Sequence, residues 1–252
     1  MNAAQAVKNF ERQFARIGNA RQAAWDKNYM KSPLKFFGTR KVDQDIILKK
    51  FFVAHKDLAK PELWRLARAL WQSDYHEIRT VRRSLLVHYR RLLDYADMPK
   101  LEKILYTAHD WGVVDEVAVH LVGYLLGQDQ RVISYLKKWN TDKLFWLRRA
   151  SILPWLFLIR QKEYDRRHFV PLLVNLMDES WQSWAYAVNN YDLKMRRFFI
   201  RKAIGWCLRE LSEKFPDEVV RLLNKYKSKM HSLSWREGGR KLSVKYRKQL
   251  KV

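Results

Sequence analysis

The residue types with chemical potential gather in two short segments. In Ala108-His109-Asp110-Trp111-Gly112-Val113-Val114-Asp115-Glu116, Trp111 and Asp115 stand four apart, which on a helix sets an indole and a carboxylate one above the other. Gly112 between them leaves room for close approach. In Ala203-Ile204-Gly205-Trp206 a second Trp follows a small residue, on a helix entered through the basic pair Arg201-Lys202. A carboxylate on a face suited to a polyanion is repelled by it, so Asp115 either has a chemical task or is a plain capping or turn acid; spacing leaves both open. Other chemistries lack their usual signatures. There is no Gly-rich phosphate loop, no His-x-Glu with Cys-x-x-Cys, no His-Glu-x-x-His and no Gly-x-Ser-x-Gly. The seven His are scattered, and the single Cys207 rules out an internal disulfide or a multi-Cys zinc site, so no metal and no cofactor is expected.

Helices must carry these residues. Gly totals 8 and Pro 6 in 252 residues, and apolar side chains recur at spacings of three and four, as in Leu63, Leu66, Leu70 and Val219, Leu222, Leu223. Lys60-Pro61-Glu62, Met98-Pro99-Lys100 and Phe215-Pro216-Asp217 fall between periodic segments, with Pro where a helix begins. Trp146-Leu147-Arg148-Arg149-Ala150-Ser151 repeats as Phe199-Ile200-Arg201-Lys202-Ala203-Ile204, 53 residues on. Paired-helix HEAT repeats run to about 40 to 47 residues, so the excess is assigned to an aromatic insertion near 180–192. Within it, Ser183–Val188 and Tyr191–Arg196 are expected to pair across Asn189-Asn190 as a short hairpin; a helical extension whose Trp181 and Trp184 pack inward is the alternative. Trp64, Trp71, Trp139 and Trp155 are read as core. The expected fold is all-α, a single HEAT-like repeat domain over 1–252, curved into a solenoid whose concave face carries Arg79, Arg82 and Arg83, then Arg148 and Arg149, then Arg196, Arg197, Arg201 and Lys202.

Fifty Lys and Arg against 26 Asp and Glu give a net charge of +24, tolerated most easily when a polyanion is the usual partner. Nucleic acid is therefore the first candidate, with a solvated basic surface as the alternative. No export signal is read at the N-terminus, and the longest apolar stretch, near Ile152 to Ile159, is too short to span a bilayer. Together with the lone Cys207 this points to the cytoplasm, in association with the nucleoid.

Over nearly its whole length the chain resembles the AlkD family of HEAT-repeat DNA glycosylases. The likeness rests on Tyr29-Met30-Lys31, Trp111-Gly112-Val113-Val114-Asp115, Trp146-Leu147-Arg148-Arg149-Ala150, Lys202-Ala203-Ile204-Gly205-Trp206-Cys207-Leu208-Arg209-Glu210 and Leu233-Ser234-Trp235-Arg236-Glu237. The resemblance implies a cleft formed by Trp111, Asp115, Arg149 and Trp206, with Arg148, Arg149, Arg201, Lys202, Tyr29 and Arg236 against DNA. It also implies a monofunctional, monomeric enzyme that excises the cationic bases 3-methyladenine and 7-methylguanine from alkylated double-stranded DNA. A base already carrying positive charge leaves readily, so what remains to be stabilised is the oxocarbenium character of the deoxyribose. Asp115 would supply the counter-charge, the indoles of Trp111 and Trp206 would hold the cationic nucleotide, and Arg149 would grip the adjacent phosphate. A non-catalytic HEAT-repeat protein binding distorted or branched DNA is the rival reading; intact Trp111, Asp115, Arg149 and Trp206 argue against it.

Overall fold

The computed structural model describes residues 2–30, 32–108, 110–180 and 191–251, and these contain helices and turns with no strand beyond one isolated bridge between Lys35 and Tyr75. They fall into two compact units, Met1–Leu93 and Asp94–Val252, where the sequence reads as one array. The first unit carries α1 (Ala3–Ile17), α2 (Ala20–Met30), α3 (Lys41–Ala54), α4 (Lys60–Trp71) and α5 (His76–His88). The second carries α6 (Met98–Tyr106), α7 (Trp111–Glu116), α8 (Gly123–Gln128), α9 (Val132–Asn140), α10 (Phe145–Ala150), α11 (Trp155–Gln161), α12 (Arg166–Asn175), α13 (Leu193–Lys214), α14 (Pro216–Lys225), α15 (Ser232–Gly239) and α16 (Val244–Arg247). Pro61, Pro99 and Pro216 lie in the first turns of α4, α6 and α14, where a missing N–H costs nothing.

In the first unit α4 packs on α5 and on α1, closing a core of Phe10, Phe14, Leu63, Leu66, Leu70, Ile78 and Leu85. The loop before α3 is tied down by Glu77, whose Oε1 accepts the backbone N–H groups of Phe37 at 2.9 Å and Gly38 at 2.8 Å. Gly38 has φ +70°, and a Cβ there would meet the Asn19 carbonyl oxygen at 2.2 Å, so no other residue fits without strain.

The second unit is built around α10, α11 and α13, with Trp139, Trp146 and Trp155 fully buried. Trp139 and Trp155 thus sit in the core as expected, whereas Trp64 and Trp71 of the first unit are only half-buried. Arg148 repeats a device seen in the first unit. Its Nε donates to the carbonyl of Asp142, six residues back, at 2.6 Å, as the Nε of Arg79 does to that of Ser73 at 2.8 Å. In both places a guanidinium folds back over the end of the preceding helix and satisfies carbonyls that helix geometry leaves open.

The expected hairpin is corrected at its second strand. Tyr191 is followed by Asp192, whose carboxylate accepts the N–H of Met195 at 2.7 Å and so starts α13 at Leu193, making 193–196 helical. A local cap outweighs the strand preference of a few aromatic residues. Tyr191 itself packs edge-on against Trp146 and Phe199. Ser183–Val188 and the Asn189-Asn190 turn lie outside the described residues, as do Trp181 and Trp184.

Helices α13 and α15 approach closely because Gly205 has no side chain: a Cβ there would stand 2.6 Å from the Cβ of Glu237. Gly239, by contrast, has its nearest neighbour at 3.6 Å. Gly205→Ala is therefore expected to lower unfolding stability by about 1–3 kcal/mol, since helix must move from helix, while Gly239→Ala stays close to wild type. Urea denaturation of the two variants side by side checks this; equal stability would show that the contact yields freely.

Candidate active site

Asp110 caps α7, its carboxylate accepting the Val113 N–H at 3.0 Å, so the helix begins at Trp111 and leaves that indole 39 % exposed at its mouth. One turn later comes Asp115. The chain then winds as a π-helix over Val117–Val122 before α8, a widened turn of the kind that recurs at functional sites.

From α10, Arg149 meets Asp115 as a fork. Its Nε donates to Oδ1 and its Nη2 to Oδ2, both at 2.8 Å, and its Nη1 donates to the backbone carbonyl of Phe199 on α13. The side chains are 5 % and 14 % exposed respectively. A bidentate guanidinium–carboxylate pair in this setting fixes both groups in orientation as well as in charge. Arg149 thus positions the carboxylate, with each of its three nitrogens donating to Asp115 or Phe199.

Trp206 lies on α13, half-buried, and its Nε1–H donates to Glu210 Oε1 at 3.3 Å. Glu210 in turn accepts from Arg160 Nε on α11 at 3.0 Å. Burial pushes the Glu210 carboxyl up, but the Arg160 hydrogen bond and charge, with the Trp206 N–H, outweigh it and hold it below the usual range. Cys207 is fully buried beneath this region; burial drives its thiol far up, while Arg149, Glu210, Asp115 and Arg160 all act on it electrostatically, which brings the four charges to one neighbourhood.

The remaining expected DNA contacts divide. Arg148 is 3 % exposed, its guanidinium donating to the carbonyls of Asn140, Thr141 and Asp142, so these donors serve the fold. Arg201 is bound at two nitrogens by Glu179, at 2.6 and 2.7 Å, and Lys202 by Glu237 at 3.2 Å. Both keep some exposure, but each charge is already matched. Arg236 on α15 is exposed. Tyr29, in the first unit, is 62 % exposed and stacks on Trp25 with ring centroids 5.1 Å apart. Sequence reasoning missed Glu179, Glu237, Glu210, Arg160 and the Phe199 carbonyl. Only Glu210 had a signal, its position one helical turn after Trp206. Among the described residues no three His, Cys, Asp or Glu side chains gather as metal ligands, and no helix is long and apolar enough to cross a membrane.

An all-α chain with a carboxylate locked by a guanidinium beside an exposed indole defines a helical protein with an acidic centre in basic surroundings. The family model described as DNA alkylation repair enzyme matches residues 10–242, and the chain belongs to that family. Two solved structures share the fold. One is described as a predicted DNA alkylation repair enzyme from Enterococcus faecalis, with a TM-score of 0.74 at 20 % identity over 90 % of this chain and 97 % of that one. The other is AlkD2 from Streptococcus mutans, with a TM-score of 0.60 at 16 % identity over 96 % of this chain and 100 % of that one. No curated protein sequence matches the chain.

Arg149→Ala leaves a mostly buried carboxylate without the guanidinium and the Phe199 carbonyl without its donor, and is expected to cost about 3–5 kcal/mol in urea denaturation. Combining it with Asp115→Asn should restore part of that loss. Strict additivity of the two substitutions would mean that the pair is not coupled.

Proposed function

We propose that the chain is a monofunctional DNA glycosylase that acts as a monomer on duplex DNA and excises cationic alkylated bases, of the 3-methyladenine and 7-methylguanine kind. The observation that carries this reading is the Asp115 carboxylate, held at both oxygens by Arg149 one turn below the exposed Trp111 indole. A merely capping acid has no need of such a clamp, and Asp110 already caps this helix.

The chemistry asks little of a general acid. When the C1′–N bond breaks, the cationic base departs neutral with the bonding electrons, and positive charge passes to the deoxyribose ring. Asp115 offers the counter-charge there through the oxygen lone pairs that Arg149 leaves open. Water then adds to C1′ and gives up a proton, leaving an abasic site. The electron-rich face of Trp111 favours a cationic base and sugar, and Trp206, oriented by Glu210, offers a second face. Because Arg149 orients the carboxylate before substrate arrives, little reorganisation is needed as charge develops.

Asp115→Asn should retain its affinity for duplex DNA, or gain slightly, because one repulsive charge is removed. Single-turnover release of 7-methylguanine should fall about 100-fold or more. Release at the wild-type rate would remove Asp115 from the mechanism. Unaltered DNA binding with no base release by either protein would favour the non-catalytic reading.

A further inference from the structure

Arg82 on α5 is 6 % exposed, and among the described residues its guanidinium has no carboxylate and no hydrogen-bond acceptor as partner. Its nitrogens are nevertheless not among the polar atoms sealed from solvent. The guanidinium carbon stands 3.6 Å from the centroid of the Trp71 ring at the end of α4, and that of Arg79 stands 4.9 Å from the same ring. Two cations therefore share one indole. Arg79 is partly occupied, its Nε donating to the Ser73 carbonyl, whereas Arg82 keeps its whole fork of donors unused.

Such an arrangement is unfavourable on its own terms. Removing a guanidinium from water costs more than a cation–π contact returns, and the second cation adds repulsion. Burial, and then Arg79, push the Arg82 guanidinium down to about 9, with no acid acting in the opposite direction. It remains a cation at neutral pH. Among the described residues the only acid acting on the pair is Asp74, and it acts on Arg79 alone. A planar fork of N–H donors with solvent access, held by its stem and by an aromatic face, is preorganised for a tetrahedral oxyanion.

We propose that Arg82 and Arg79, braced on Trp71, form a receptor for one phosphate group, either a diester in a DNA strand or the free ion. This deepens the DNA-directed reading given above and takes from it only the identity of the polyanion. Arg148 on α10 shows the contrast: it is buried to a similar degree, but each of its three nitrogens donates to a carbonyl.

The test uses the full chain and compares wild type with Arg82→Met, which keeps the stem and removes the charge. In phosphate-free buffer at low salt the variant is expected to unfold at the same or a higher temperature, since the cation removed had no partner to lose. Inorganic phosphate should raise the unfolding temperature of the wild type and leave the variant unmoved. For duplex DNA the log–log salt slope should fall by about one unit. A lowered slope with no response to inorganic phosphate assigns the receptor to the diester; a change in both assigns it to phosphate in general. An unchanged phosphate response together with an unchanged slope overturns the proposal. Should Arg82→Met not fold, Arg82→Lys makes the same comparison, keeping the charge and losing the planar fork, with a weakened response expected. Base release is no part of these readouts, so failure of the receptor and failure of the glycosylase reading are separate results.

Discussion

The second unit depends on one interaction, the fork between Arg149 and Asp115. Through it α10 holds the carboxylate of α7, and through the third donation, to the Phe199 carbonyl, α10 also holds the backbone of α13. Three helices that carry the candidate catalytic side chains are thereby fixed to one guanidinium. An ion pair this dry is a poor source of stability in itself, because desolvating both partners offsets most of their attraction. What it supplies is orientation: the carboxylate is held where an exposed indole opens the helix. That fits a reaction in which charge must be met at a defined point.

Charge elsewhere is arranged less simply than a net +24 suggests. Glu179 matches Arg197 and Arg201, and Glu237 is shared by Lys202 and Arg209, with Arg240 at 3.9 Å. Acids sited among the cations lower self-repulsion in the folded state and set the long side chains in place, where a bare stripe would be both repulsive and mobile. The acids also tie elements together, for Glu237 reaches α13 from α15 across the close contact that Gly205 permits. Among the described residues Arg82 stands out as a buried cation without such a partner, free to meet an external anion.

Much of the helical architecture was legible because its rules are local. Proline in a first turn, period-four spacing and the placing of Trp111 over Asp115 need only a few neighbouring residues. The site's cohesion was not legible. Asp115 and Arg149 lie 34 residues apart and Arg160 and Glu210 lie 50 apart, separations at which a sequence carries no mark of pairing. The doublet Arg148-Arg149 reads as two equivalent surface cations, yet adjacent positions on a helix point in different directions: one guanidinium closes the end of α9 and the other clamps an acid. The second strand expected of the hairpin is helical for a similar reason. Aromatic residues near Tyr191 suggested strands, but Asp192, an ordinary N-cap, decided the backbone beyond it.

The decisive question is whether the wild-type chain breaks the glycosidic bond. Incubation with duplex DNA containing 7-methylguanine, followed by chromatography of free bases and alkaline cleavage at abasic sites, measures both products of one event. Free 7-methylguanine and an equal amount of abasic sites are expected, with unmodified purines retained. DNA that is bound tightly yet keeps every methylated base would contradict the glycosylase reading.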